Sequence, residues 1–520
     1  MAQETEDIQS LKKIVKGAGW IFIGMIISKI LSIVYRVFIA RYFGPGDYGL
    51  FALGLVVLSF VGMIARLGLH SGVVRYVPFY EARGDKARVK GIVLSALKII
   101  TLVSVVMAFF MFIFSEEIAV LGFHNMELVG ILQILALSVP FVCLFYVFNF
   151  SFVGFQKLKY QVYSEHIFSN IAKIVFVVVF GLLGLGVYGI AWSYTIAAIL
   201  TLFLSAYFLQ KRVFPVFKTG VKPIYMNRKL LSFSIPLLFA GFMSFIISSI
   251  DTLMLGYFKT VTDVGVYNAA APTAYVLNVI PGALTVIFLP IITGLYSKGK
   301  IKELYSVYKT VFKWMFYFNI PLLAVMMAFP GQIINILFGI EYAGYAGVSM
   351  TLLFLSVGTF LVGISIFFSN VLSMLEKTKH ILYIIIAAAI VNLLLNWLLI
   401  PTYGIGGAAF ASMITHASSV ALMFLVSWYY IRMVPASFGL IKSILAAMIS
   451  IILVNTVARL FITDFVYFYV PLLVVFLFLY GFLILIFKGL GSEDVEILRS
   501  IREKVGLRVR FLEKIIKKFI

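Results

Sequence analysis

Runs of about twenty apolar residues recur from one end of the chain to the other, separated by short polar breaks. Only a lipid bilayer satisfies a chain so patterned. Fourteen segments can be delimited, at 14–40, 47–69, 91–114, 127–150, 162–181, 185–209, 231–257, 265–290, 306–329, 346–369, 381–400, 405–430, 441–461 and 467–487. Charged residues are 12% of the 520, and apolar ones 62%. A soluble domain carries about 25% charge. Backbone that crosses a bilayer must hydrogen-bond internally, as helices or as a closed barrel. A barrel would show strands of about 10 residues with period-two alternation, and that pattern is missing. The expected fold is all-α and polytopic, with 14 transmembrane helices and no soluble domain inserted between them.

The basic residues divide unevenly between the two sets of loops. The connection after the sixth segment alone holds Lys211, Arg212, Lys218, Lys222, Arg228 and Lys229, whereas the opposite side holds Arg41 and Lys259. Asp47, Glu116, Glu117, Glu127, Asp263, Glu341 and Asp464 collect on that opposite side. The positive-inside rule then places both termini in the cytoplasm of a multi-pass protein of the cell membrane. The net charge of +21 is thereby a topology signal. Its scatter over short loops speaks against nucleic acid as a partner. The N-terminus, MAQETEDIQ, shows no small-residue cleavage site, so the first apolar segment is expected to serve as its own insertion signal. Cys143 is the sole cysteine, so no internal disulfide forms, and its apolar surroundings suit a small buried hydrophobe. In the tail 491–520, Leu498, Ile501, Val505, Leu512, Ile515, Ile516 and Phe519 recur at helical spacing among Lys and Arg. That pattern fits an amphipathic helix on an anionic inner leaflet, with a partner-binding helix as the other reading.

The two halves of the chain repeat one another. "YFGPGDYGLFALG" follows the first segment and "YFKTVTDVGVYNAA" the seventh, aligning Gly49 with Gly265. "QKLKY" from Gln156 then matches "EKTKH" from Glu376, and "GVYGIAW" from Gly186 matches "GIGGAAF" from Gly404, in the same order. The repeat unit is six segments. An even number makes the copies parallel, related by a pseudo-two-fold axis along the membrane normal. The expected organisation is an N-terminal lobe (1–210), a basic cytoplasmic linker (211–230), a C-terminal lobe (231–430), two further helices (431–490) and the basic tail (491–520).

With "ISKILSIVYRVFIARYFGPGDYGLFALG", "SSIDTLMLGYFKTVTDVGVYNAA" and the two glycine landmarks in place, the chain resembles a known family over essentially its whole length. It is similar to the oligosaccharide and polysaccharide flippases of the multidrug/oligosaccharidyl-lipid/polysaccharide exporter superfamily. Fourteen spans match the polysaccharide and lipid II flippases; the drug and toxin extruders usually have twelve. The resemblance implies a flippase that carries a polyprenyl-linked oligosaccharide from the cytoplasmic to the outer leaflet by alternating access. It also implies a central cavity lined by segments 1, 2, 7 and 8.

Charges inside the apolar segments qualify that reading. A cation near the bilayer centre costs at least about 2.5–3.5 kcal/mol on insertion scales. Lys29, Ser32 and Arg36 nevertheless fall at spacings of three and four, one stripe on a helix. Arg66 stands one turn from the inner end of segment 2. Segment 7 carries Ser244, Ser248, Asp251 and Thr252 on its own stripe, and Asn268 and Thr273 add polarity to segment 8. Lys98, Lys313 and Arg459 are near enough to segment ends to snorkel, and Lys173 is placed to pair with Glu165 inside its lobe. Lys29, Arg36 and Arg66 against Asp251 make a cavity of positive sign, suited to a lipid phosphate or diphosphate. Ser32, Ser248 and Asn268 are its expected polar lining. Aligning "RYFGPGDYG" with "GYFKTVTDVG" superposes Arg36 on Asp251. These two are candidates for an outer gate that pairs when that side is closed, or for direct contact with the ligand.

Other classes are poorly served. There is no G-x-x-x-x-G-K-[ST] and no H-E-x-x-H, and the five histidines show no metal-ligand spacing, so neither a cofactor nor a metal is expected. A cation-coupled multidrug antiporter, the first alternative, would want a cavity of negative sign. A membrane-embedded polysaccharide polymerase or ligase, the second, needs a sizeable outer loop with catalytic side chains. Such a polymerase, or glycosyltransferases, are candidate partners instead.

Overall fold

A computed structural model describes residues 2–218, 220–435, 438–461 and 466–489. The amphipathic reading of 491–520 lies outside the described residues. No strand occurs among them, and twelve of their helices are long and apolar enough to cross a membrane. The protein is a multi-pass membrane protein.

Two of those helices are interrupted. Ala2–Arg66 contains Gly44 at φ 80°, ψ 175°, and Thr378–Ile431 contains Gly404 at φ 54°, ψ −133°. Both φ values lie where a side chain is disfavoured and glycine is free. The interruptions are fold-backs. Asn392 Nδ2 lies 3.4 Å from Ser412 Oγ, although twenty residues of straight helix would hold the two about 30 Å apart. Arg36 and Tyr48, on opposite sides of Gly44, also touch, at 3.2 Å.

The chain packs as two compact units, Met1–Ala269 and Ala270–Ile520. In the first, Glu127–Gly154 is the central helix. It is buried along Ile131, Leu135, Val139 and Cys143 and flanked by Lys86–Ile113, Gly186–Phe208 and the first helix. Cys143 is buried, as its setting suggested, with Sγ 3.7 Å from the Gly62 carbonyl oxygen. The helix Asn227–Phe258 belongs to the second repeat by sequence but packs in this unit, against the first helix and against Leu69–Glu81. The linker is tied down here too. Lys90 Nζ donates to the Val221 carbonyl at 3.0 Å, and Ile224 N to the Ala87 carbonyl at 3.1 Å. Packing thus sets the boundary inside the eighth apolar segment.

The second unit has an aromatic core. Phe288 stacks on Phe367 with ring centroids 4.8 Å apart, and Tyr308, Phe312 and Phe368 close around Phe367. Those residues come from Val279–Ser297, Ile301–Ala328 and Val348–Met374. Offset and edge-on ring pairs of this kind add about 0.5–1.5 kcal/mol each beyond area burial.

Candidate functional site

A polar chain runs through the first unit where its apolar helices meet. Arg36 is half-buried and donates from Nη1 to the Tyr48 hydroxyl at 3.2 Å. Tyr48 is buried and donates to the Asn268 carbonyl oxygen at 3.1 Å. The Asn268 side-chain amide donates to Thr252 Oγ1 at 3.2 Å and to the Val264 carbonyl at 2.9 Å. One residue away on each helix, the Tyr267 hydroxyl donates to Asp251 Oδ2 at 2.6 Å. Asp251 is only 9% exposed. A polar side chain so far from water needs hydrogen-bond partners, and the Tyr267 hydroxyl is one of them. Arg36 and Asp251, matched by the repeat, therefore belong to two hydrogen-bonded sets that run side by side, one residue apart on each helix.

The two repeats use a similar device, although the tyrosines stand at different repeat positions and Tyr48 accepts where Tyr267 donates. In each, a charged residue on the first helix is held by a tyrosine hydroxyl from the next helix, Arg36 by Tyr48 and Asp251 by Tyr267. From sequence alone Tyr48 and Tyr267 are two of several membrane aromatics able to stack on sugar rings or to serve as packing and interface residues; their hydroxyl bonds are what the sequence does not show. The available signal was their place just beyond each helix-helix turn, facing back toward the charge.

Beside this chain the backbones nearly touch. A Cβ on Gly49 would collide with the Val261 carbonyl oxygen, and one on Gly265 with the Pro45 carbonyl oxygen. Glycine at both positions lets Ala2–Arg66 and Val261–Ala274 approach without side chains between them, as small residues do at membrane helix interfaces.

The remaining candidates sit at other depths. Lys29 is exposed and makes no hydrogen bond or ion pair among the described residues. Ser32 is half-buried on the same helix. Ser248 is exposed and donates to the Phe245 carbonyl at 3.1 Å. Arg66 is held well away from Arg36. Its Nε donates to the Gly62 carbonyl at 2.9 Å, and its guanidinium lies over the Tyr146 ring, 4.2 Å from the centroid. Eighteen residues of helix separate Tyr48 from Arg66, about 27 Å, so Arg36 and Arg66 cannot grip one phosphate together.

Lys173 does not reach Glu165. It lies over the Tyr194 ring at 5.1 Å, while Glu165 accepts from Asn149 at 2.5 Å and from Gln161 at 3.3 Å on the π-helical turn Val162–Phe168. Two amides hold Glu165 and an aromatic face holds Lys173, so the two charges are satisfied separately. Lys98 is exposed, in keeping with snorkelling, whereas Lys313 is buried beside Tyr317 and Gly439. In the second unit, a crevice of about 190 Å³ between Ile301–Ala328, Pro330–Phe338, Phe438–Phe461 and Tyr469–Ile486 is lined by apolar side chains with Gln332 and Tyr469, and by no charged one. A charged headgroup would find no charged partner in it.

Known proteins share this architecture. The solved lipid II flippase MurJ, in an inward closed conformation, superposes with a TM-score of 0.71 over 90% of this chain and 98% of its own, at 17% identity. An uncharacterized membrane protein of Methanocaldococcus jannaschii is 26% identical over 89% of this chain and 95% of its own length. A putative O-antigen transporter of Shigella flexneri is 24% identical over 81% of this chain and 98% of its own. The MatE family model matches residues 236–398, across much of the second repeat. The model described as polysaccharide biosynthesis protein matches residues 14–296, the stretch that holds Lys29, Arg36, Arg66, Asp251 and the two facing glycines. That match spans more than half of the chain, which belongs to the polysaccharide biosynthesis protein family.

Proposed function

We propose that this protein is a flippase that moves a polyprenyl-(di)phosphate-linked oligosaccharide from the cytoplasmic to the outer leaflet, for synthesis of a cell-surface polysaccharide or glycoconjugate. The single observation that carries the reading is the ladder of cations along the folded-back first helix. Measured from the turn at Gly44, Arg36 lies about 12 Å away, Lys29 about 22 Å and Arg66 about 33 Å, at 1.5 Å per residue. The hydrocarbon core is about 30 Å thick, so the three cations mark its outer half, its inner half and its inner edge. An anionic headgroup passing between leaflets would meet a positive charge at each stage. Each contact offsets part of the cost of removing phosphate from water, while the lipid tails stay in the bilayer. The family and the named relatives support the same reading.

Counting each folded-back helix as two crossings turns twelve helices into fourteen. An even count keeps both termini on one side, and the basic loops assign that side to the cytoplasm. The contact of Gly49 with Gly265 supports the two-lobe symmetry, because residues equivalent under a two-fold meet one another only at its axis. Segments 1, 2, 7 and 8 line the path, with Ser32, Ser248 and Asn268 as polar lining. Arg36 and Asp251 act as the outer gate. They draw together when the outer side is closed, and an incoming headgroup competes with Asp251 for Arg36. The work is transport, with the oligosaccharide carried unaltered. A polymerase or glycosyltransferases are its natural neighbours in the membrane. The sign of the charged ladder disfavours a cation-extruding antiporter.

Lys29 tests this most simply. In a flippase-deficient strain whose glycan the wild-type protein restores to the surface, Lys29→Glu is expected to abolish rescue at unchanged membrane abundance. Full rescue by a well-expressed Lys29→Glu protein would remove Lys29 from the path.

A further inference from the structure

On the side assigned above to the cytoplasm, two helices exchange cations. Arg75, on Leu69–Glu81, lies over Phe233 of Asn227–Phe258, 4.4 Å from the ring centroid. Lys229, on the second of these helices, lies over Tyr76 and Tyr80 of the first, at 5.2 and 5.5 Å, and donates to the Tyr80 hydroxyl at 3.0 Å. The Tyr76 and Phe233 rings meet edge to face with centroids 5.6 Å apart. Arg88 adds a third cation beside Tyr80, at 5.5 Å. All three cations are exposed. Among the described residues, one carboxylate is bonded to them, Asp85 on Arg88 at 2.6 Å.

Aromatic faces orient a cation without occupying its N–H donors. Arg75 and Lys229 are thus held in place with most of their hydrogen-bonding capacity unspent. We propose that Arg75, Arg88 and Lys229 form a docking site for the diphosphate of a polyprenyl-linked substrate, used before the headgroup passes between the helices. The inference rests on the flippase reading and names the first contact of its substrate. Three cations less the Asp85 charge leave two positive charges, matching the two negative charges of a diphosphate diester. A phospholipid headgroup with one net negative charge would leave half of that unmatched. The site also continues the cationic ladder, since Arg66 stands at the end of the helix that precedes Leu69–Glu81. Guanidinium and ammonium groups are the side chains best suited to phosphate oxygens.

The test uses the full chain purified in detergent, with a farnesyl-diphosphate sugar diester, farnesyl diphosphate (a monoester with up to one more negative charge), farnesol and phosphatidylglycerol as probes. Wild type should bind both diphosphates at least 10-fold more tightly than farnesol. The double variant Arg75→Gln/Lys229→Gln should lose at least 10-fold of that affinity, while Arg75→Lys/Lys229→Arg keeps most of it and shows that folding is not at issue. Unchanged binding by the Gln variant overturns the site. An equal loss for phosphatidylglycerol overturns the diphosphate assignment, because the patch is then a general anionic-lipid surface. Should the flippase reading itself be wrong, the diphosphate would still bind here while no transfer between leaflets is seen.

Discussion

Gly265→Val is expected to abolish transport, and Gly49→Val to do the same. At both positions the new side chain meets a backbone carbonyl oxygen, Pro45 or Val261, and no rotamer change moves a carbonyl on a helix. The two helices must part instead. Overpacking of this kind typically costs about 1–3 kcal/mol, enough to hold the outer ends apart in most molecules. The expected result is at least a 10-fold loss of surface glycan at normal membrane abundance, with heightened labelling of a cysteine placed near Tyr48. Gly46→Ala is the control, since an added Cβ there has no neighbour within 4 Å, and it should transport normally. Normal transport by Gly265→Val would show that this close approach is not part of the working cycle.

The second large effect concerns Arg36 and Asp251. If Arg36 and Asp251 form the proposed gate, each single reversal, Arg36→Asp or Asp251→Arg, puts two like charges where the gate must close. Removing one partner from a buried ion pair costs about 3–5 kcal/mol, so both variants should lose transport almost completely. Asp251→Arg also strips Tyr267 of its acceptor. The double exchange should regain at least a tenth of wild-type transport if pairing is what matters. Tyr48→Phe, which cuts the bond from Arg36 to the second repeat while keeping the ring, should give an intermediate loss. Wild-type transport by either single reversal would remove the gate.

Much of this was legible in the sequence because bilayer physics is severe. The length of each apolar segment and the bias of Lys211, Arg212, Lys218 and their neighbours follow from hydrophobicity and charge alone. The stripe of Lys29, Ser32 and Arg36 needs only the helical period. The two fold-backs were legible for a similar reason, since Gly44-Pro45 and Gly404 interrupt runs too long to cross once. What the sequence could not show was which side chains close the distances. Lys173 and Glu165 sit two turns apart on one segment, yet each finds a partner on a different helix. Tyr48 and Tyr267 matter through hydroxyls whose targets lie more than two hundred residues away, or across a turn of unknown geometry. The different depths of Arg66 and Arg36 were legible from the segment limits, but not that Arg66 is held by the Gly62 carbonyl and the Tyr146 ring.

The most direct measurement follows a substrate between leaflets. The protein would be reconstituted into liposomes with a polyprenyl-diphosphate oligosaccharide bearing a fluorophore on its sugar, and quenched from outside with a membrane-impermeant reductant. A flippase makes the inner-leaflet pool accessible, so quenching should rise from about half of the signal toward completion. Liposomes without protein, and those with Lys29→Glu, should stay near half. A wild-type protein, folded and inserted, that leaves quenching at the level of empty liposomes for every diphosphate-linked oligosaccharide offered would contradict the assignment.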